Sequence, residues 1–446
     1  MTSYWCELAW LGAADGSIEH GVGITVEGDR ITEVVVGCQL QPGTQCLAGL
    51  TLPGLANAHS HAFHRALRGR THGQTGSFWT WRERMYALAE RLDPDSYRAL
   101  ATATFAEMVL AGFTSVGEFH YLHHAHGGTL YAQPNEMGQV LIEAAGAAGI
   151  RITLLDACYL QGGMAAGATL EPTQQRFSDG DADRWAARVD AMGDSSTVRI
   201  GAAIHSVRGV APAAMAVVGG WSAERGAPLH AHVSEQPAEN EQCEAMYGCT
   251  PLELLESTGV LGERFTAVHA THLGGNDIGL LHSNHSTCCI CPTTERDLAD
   301  GIGPTAAFRV AGIAMAIGSD SHAVIDPFEE ARGIELDERL SSLQRGTHRT
   351  GELLAAATHA GYRSLGWHDG GRIAPGCLAD LTTVSLASPR LAGTDPQDAA
   401  AAVVFAATAA DVDCVIVGGR VVVTGGVHQT IDVPFELDRS IKQIWS

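Results

Sequence analysis

A chain of 446 residues is too long for one small domain and suits a barrel of roughly 250 residues carrying insertions and an appendage. Hydrophobic residues at 45% and charged residues at 17% describe a globular chain with a large core, and no run of about 18 uncharged apolar residues reads as a membrane span. A formal net charge of −22 excludes a nucleic-acid surface as the default, because phosphate binding needs clustered Lys and Arg.

The chain opens Met1-Thr2-Ser3-Tyr4-Trp5, without a basic start followed by an apolar stretch, so a cytoplasmic enzyme is expected. Strand-like alternation covers 4–11, 22–27 and 30–36, with the turn Glu27-Gly28-Asp29 between the last two. A similar pattern returns at 379–384 and 412–424, where Val417-Gly418-Gly419-Arg420 reads as a hairpin turn. These β-rich ends predict a small β-sandwich assembled from residues 1–50 and 373–446, flanking a (β/α)8 barrel over residues 51–372.

Within the middle region, short apolar strand candidates fall at 51–57, 114–119, 152–157, 198–204, 229–233, 265–269, 286–291 and 313–319. Helical stretches such as 95–111, 136–148 and 327–343 lie between them, which is the strand-then-helix alternation of a TIM barrel. Eleven cysteines, an odd number spread along the chain, suggest reduced thiols and not a disulfide framework.

Chemistry in such a barrel sits where the strands end at their C-terminal face. The first candidate runs into His59-Ser60-His61, whose imidazoles share one face because residues two apart on a strand point the same way. The fifth ends around His232 with Glu235 three residues on, the sixth ends at His269, and the eighth runs through Gly318-Ser319 into Asp320. Imidazoles plus a carboxylate suit one divalent zinc ion, or iron, better than magnesium or calcium. A His-X-His pair alone is more often structural; the ordered set is far more specific.

This constellation resembles the amidohydrolase superfamily, and within it the mononuclear deaminases related to guanine and cytosine deaminases. The resemblance implies that His59, His61, His232 and Asp320 hold the metal, which lowers the pKa of a bound water towards about 7. It also implies that Glu235 moves a proton to the departing nitrogen, while His269 hydrogen-bonds the water and Asp320 takes its proton.

Longer segments resemble the formimidoylglutamate deiminases of histidine breakdown across nearly the whole chain. They are Ser77-Phe78-Trp79-Thr80-Trp81-Arg82-Glu83-Arg84-Met85-Tyr86, Gly117-Glu118-Phe119-His120-Tyr121-Leu122-His123-His124, His205-Ser206-Val207-Arg208 and Cys291-Pro292-Thr293-Thr294-Glu295-Arg296-Asp297-Leu298. By that likeness His64, Arg82, Tyr121, His205 and Arg208 contact a small dicarboxylate amidine, and the protein is a homodimer. Arginine suits the task, since its guanidinium grips a carboxylate through two parallel hydrogen bonds. In this acidic chain, cleft-facing arginines carry added weight.

Two departures bear on the substrate. His64 stands where the family places Gln, and Ala203-Ile204-His205 lacks the proline common before that histidine. A purine, pyrimidine or other cyclic amidine therefore remains the rival substrate. A non-catalytic scaffold is the rival from another class, and it would be expected to have lost ligands that are all present here.

Other groupings read as structural. His282, His285, Cys288, Cys289 and Cys291 match no zinc spacing, and the cysteines suit a buried strand. His120, His123, His124 and His126 read as loop and rim residues, and Gly127-Gly128 and Gly274-Gly275 as turns without phosphate-loop spacing.

Overall fold

Parallel strands with helices outside and side chains packed inside are buried on both faces, so they read as short apolar runs. The computed structural model describes residues 1–72, 78–165 and 168–446. Its parallel eight-stranded sheet takes Leu55–Ser60, Phe113–His120, Arg151–Cys158, Val198–Ile204, Leu229–Val233, Phe265–His269, Thr287–Ile290 and Ala314–Ile317 as first to eighth strands, paired in chain order. A parallel bridge between Ser60 and Asp320 joins the first strand to the end of the eighth and rolls the sheet into a barrel.

The helices around it carry the expected end signals. Pro94–Leu110 begins with a reciprocal cap, Asp93 accepting from the Ser96 amide at 2.8 Å and the Ser96 hydroxyl accepting from the Asp93 amide at 3.0 Å. Glu136–Ala148 stops at Gly149, whose φ of 75° is a left-handed conformation that glycine adopts without strain. Among the described residues no helix is long and apolar enough to cross a membrane.

Both termini build a second sheet of eight strands. Its order is Val427–His428, Arg420–Thr424, Val412–Val417, Leu381–Val384, Gln45–Pro53, Thr2–Ala9, Glu19–Glu27 and Arg30–Val35. The sheet rolls over itself: the Ile31 amide donates to the Cys377 carbonyl at 2.9 Å and the Tyr4 hydroxyl to the Gly419 carbonyl at 2.9 Å. Tyr4, Cys6, Ile24, Leu47, Leu381 and Ile416 fill the core enclosed between its faces. The expected two-ended sandwich is therefore one continuous mixed sheet folded face to face.

Two features differ from the sequence reading. The candidate strand 51–57 is two strands, because Gln45–Pro53 ends in the mixed sheet and the first barrel strand starts at Leu55. At the Gly54 joint an added Cβ would lie 2.3 Å from Thr114 Oγ1 and 2.7 Å from the Asp380 Cβ, so only glycine fits. In addition, Val433–Trp445 is a helix and not part of the sandwich, and like the Ala-rich helix Ala399–Ala406 it packs back on the barrel. Arg332 Nη1 donates to the Ala407 carbonyl at 2.7 Å, and Trp445 Nε1 to the Ala66 carbonyl at 3.0 Å.

One buried ion pair ties the barrel to the sandwich. Arg151 on the third strand donates from Nε to Asp380 Oδ2 at 2.7 Å, and Asp380 also accepts from the Tyr362 hydroxyl at 2.8 Å and the Gly418 amide at 2.6 Å. Removing one partner of such a pair leaves the other charge buried and unmatched, which costs about 3–5 kcal/mol. Asp380→Ala is expected to lower the urea unfolding midpoint by that order of free energy; a change below about 1 kcal/mol would contradict the role assigned to the pair.

Candidate active site

The first and eighth strands meet through their backbones at the C-terminal end of the barrel. The Asp320 amide donates to the His59 carbonyl at 3.0 Å, and the His61 amide to the Asp320 carbonyl at 3.2 Å. Asn57 locks the same seam, accepting from the Ser319 amide at 2.9 Å and donating to the Ser319 hydroxyl at 2.6 Å. Around this ring of strand ends the backbone is strained: Asp320, His269 and Ser234 have φ of 40°, 67° and 51°, a region that costs a residue with a side chain of order 1–3 kcal/mol. Non-glycine residues held there mark positions where side-chain direction is over-determined by the surroundings.

His59, His61 and His232 bring one ring nitrogen each to within 4.8 Å of one another, and Asp320 falls in two overlapping sets of the same reach, one with His59 and His269 and one with His61 and His64. His59 Nε2 lies 3.1 Å from His232 Nε2 and 3.4 Å from Asp320 Oδ1, while His61 Nε2 lies 3.5 Å from Asp320 Oδ1. A carbonyl only accepts, so the Nδ1 of His61, 2.9 Å from the Phe119 carbonyl, carries the proton. The Nδ1 of His232, 2.8 Å from the His205 carbonyl, does so too. Both Nε2 lone pairs are thereby aimed inward.

Burial keeps these rings neutral, pushing His59 down to about 3, His232 to about 4 and His61 well below its ordinary value. Burial would raise Asp320, but its hydrogen bond to His59 and the surrounding imidazoles hold the carboxyl well below the usual range. Lone pairs and a carboxylate converging in a buried space are complementary to a divalent cation. The buried Nδ1 of His59 has no partner among the described residues. The residues fit a metal.

Beside this cluster lies a chain of proton-carrying groups. His269 Nε2 stands 3.8 Å from Asp320 Oδ2 and 3.9 Å from Glu235 Oε1, and its Nδ1 is 3.3 Å from Glu295 Oε1. Burial would lower His269, yet the Glu295 hydrogen bond and the Glu235 and Asp320 charges hold it well above its ordinary value. Glu235 Oε2 accepts from Arg208 Nη2 at 3.2 Å, and Arg208 Nε lies 3.4 Å from the buried Glu239. Arg208 thus fixes Glu235 as well as facing the cavity.

The sequence-predicted residues His61, His64, Arg82, Tyr121, His205, Arg208, His232, Glu235, His269 and Asp320 all line one cavity of about 260 Å³, with His59 fully buried against His232. His64 Nε2 is 2.9 Å from the Tyr121 hydroxyl, so it braces a predicted substrate contact. His205 packs edge-on against Tyr159 at 4.4 Å between ring centroids. Arg82 lies over the rings of Trp79 and Tyr86 and pairs with Glu171 at 3.0 Å. Ser77, at the head of the Trp-rich segment, lies outside the described residues.

The sequence reading gives several other residues of the site no role. Phe78, Trp81, Tyr86, Tyr159 and Phe177 make the cavity largely aromatic. Glu118 lies under the ligand loop, accepting from the Ser60 hydroxyl and the Ala62 amide at 2.7 Å each, with burial pushing it up to about 8. The signal available for Glu118 was an acid inside the apolar strand 113–120.

The histidine group after the second strand needs correction. His120, His123 and His124 are fully buried, and only His126 sits at the surface. The first two approach Asp156, but Asp156 is already gripped by both Nη atoms of Arg188, at 2.8 and 2.9 Å. The adjoining guanidinium opposes a cation there. Cys288, Cys289 and Cys291 are buried in or beside the seventh strand as expected. Arg296 turns outward to Glu329 and Asp337.

The profile of the amidohydrolase family matches residues 50–422. A formimidoylglutamate deiminase from Pseudomonas aeruginosa is 35% identical over 86% of this chain and 87% of its own length. An 8-oxoguanine deaminase from the same organism is 30% identical over 92% and 91%. Among solved structures, an amidohydrolase from Brucella melitensis superposes with a TM-score of 0.92 at 30% identity, each chain covered in full. A zinc-bound adenosine deaminase from Xanthomonas campestris gives 0.85 at 22% identity, covering 100% of this chain and 97% of that one, a likeness of fold.

The geometry sets an expectation for metal content. Asp320→Ala is expected to purify with less than about a tenth of the parent's bound metal by elemental analysis, since it removes the one carboxylate from a cluster whose three imidazoles are neutral. Retention of the parent's full complement would remove Asp320 from the ligand set.

Proposed function

The chain belongs to the amidohydrolase family, and from that premise we propose that it is a metal-dependent deaminase converting N-formimidoyl-L-glutamate and water into N-formyl-L-glutamate and ammonia. The observation that carries this reading is the layout of the cavity. Proton carriers lie beside the ligand cluster, and Arg208 and Arg82 line the same space, where a dicarboxylate can be gripped. The 35% identity to the Pseudomonas aeruginosa formimidoylglutamate deiminase supports it.

In this reading His59, His61, His232 and Asp320 hold one metal ion, and the nitrogen-rich donor set favours zinc. When bound, the metal supplies a Lewis acid that makes water a nucleophile at neutral pH. The water oxygen bonds to the amidine carbon, and the bond from that carbon to the terminal nitrogen breaks. Both water protons finish on that nitrogen, so an =NH group leaves as NH3 and the carbon keeps oxygen as a formyl group. Glu235 suits the transfer, because Arg208 holds one of its oxygens while the other faces His269. His269, flanked by three carboxylates, stays a donor and steadies negative charge developing near Asp320.

The aromatic wall favours a second reading, a deaminase of a purine or another cyclic amidine, in which those rings stack on the substrate. Ammonia release from N-formimidoyl-L-glutamate, compared with 8-oxoguanine and adenosine, decides between the two. Turnover of a ring substrate with none of the linear amidine would reverse the assignment.

Two variants test the roles. Glu235→Gln is expected to keep its metal and lose about 10²–10⁴-fold in kcat, the usual worth of a positioned proton carrier; retained turnover would point to a different shuttle. Arg208→Ala should lower kcat as well as raise KM, because it touches both the cavity and Glu235. A rise in KM alone would confine Arg208 to substrate binding.

A further inference from the structure

The two arginines of the cavity are compensated very differently. Arg208 is matched by Glu235 and Glu239, whose side chains are 8% and 0% exposed, so its partners belong to the buried interior. Arg82 is matched by Glu171, whose side chain is 52% exposed. An ion pair open to water is weak, and another carboxylate can replace it at little cost.

Arg82 does not depend on that partner for its place. Its guanidinium carbon lies 5.0 Å from the centre of the Trp79 ring and 5.1 Å from that of Tyr86, contacts that remain when Glu171 swings away. The backbone under Glu171 is held separately: its amide donates to Gln174 Oε1 at 2.7 Å, and Gln174 Nε2 donates to the hydroxyls of Tyr159 at 2.7 Å and Tyr86 at 3.1 Å. The carboxylate alone is therefore free to exchange, on a fixed backbone and opposite a fixed cation.

We propose that Glu171 is a specificity-determining residue whose carboxylate competes with the substrate's distal carboxylate for the Arg82 guanidinium. This rests on the reading that the cavity takes an anionic amidine, and deepens it by naming what the anion displaces. A substrate bearing a carboxylate replaces one ion pair with another. A neutral substrate of the same length leaves the Arg82–Glu171 pair intact and gains nothing at that end. The internal carboxylate tempers affinity for anions in general, so a ligand must also satisfy the other end of the cavity.

The test uses glutarate, a dicarboxylate without an amidine, titrated calorimetrically into the full-length metal-loaded protein. Glu171→Gln is expected to bind glutarate about two- to fivefold more tightly than the parent, the range set by losing an exposed competing ion pair. In an Arg82→Ala background the same substitution should change nothing. Unchanged or weaker binding by Glu171→Gln would overturn the proposal and make Glu171 a holder of Arg82. An equal tightening without Arg82 would overturn it in favour of a general field effect, and so would failure of the parent and Glu171→Gln to bind glutarate. The parent's turnover of N-formimidoyl-L-glutamate is read separately. Tightening without turnover would retain the anion subsite and discard the substrate.

Discussion

The backbone hydrogen bonds between His59, Asp320 and His61 carry two functions that cannot be separated. They close the barrel at its last seam, and they bring the first strand's two imidazoles against the eighth strand's carboxylate. Because closure and cluster assembly use the same atoms, the geometry of the site is set by the barrel seam. Asn57 and Ser319 interlock across the seam, and Glu118 anchors the turn beyond it from below. The left-handed φ values at Asp320 and His269 fit that view, since strain persists only where the surroundings leave no alternative.

Burial then sets the electrostatics. The interior holds the three clustered imidazoles neutral, and His61 and His232 each lend a hydrogen to a backbone carbonyl. The remaining lone pairs point where a cation fits. Around this cluster the acids are separated by what they face: Asp320 by the imidazoles of His59 and His269, Glu235 and Glu239 by Arg208, and Glu171 by Arg82 in contact with water. In a chain with a net charge of −22, two cavity-facing arginines are a selective feature, and one of them sits against an exchangeable partner.

Much of this was legible in the sequence, for identifiable reasons. The period of two in His59-Ser60-His61 and the rule that barrel chemistry gathers at strand ends together point to the histidine–aspartate cluster. The strands themselves were legible as short apolar runs. Less legible was anything fixed by packing over distance. Gly54 divides what reads as one strand, because its neighbours Thr114 and Asp380 lie far off in sequence. The C-terminal helices return to the barrel through Ala66 and Arg332, contacts that no local pattern announces. His120 and His123 read as rim residues, and the structure buries them by supplying Arg188 to their neighbour Asp156. Glu171 gave no sign at all, its importance coming only from the cation it meets.

The central claim is that three imidazoles and one carboxylate, drawn together by barrel closure, hold a single cation. X-ray absorption at the edge of the bound metal in the purified protein reads that shell directly. The account predicts only nitrogen and oxygen neighbours at about 2.0–2.2 Å, with the outer-ring scattering of about three imidazoles. A sulfur neighbour at about 2.3 Å, as Cys291 would supply, or a shell with no imidazole signature, would contradict it.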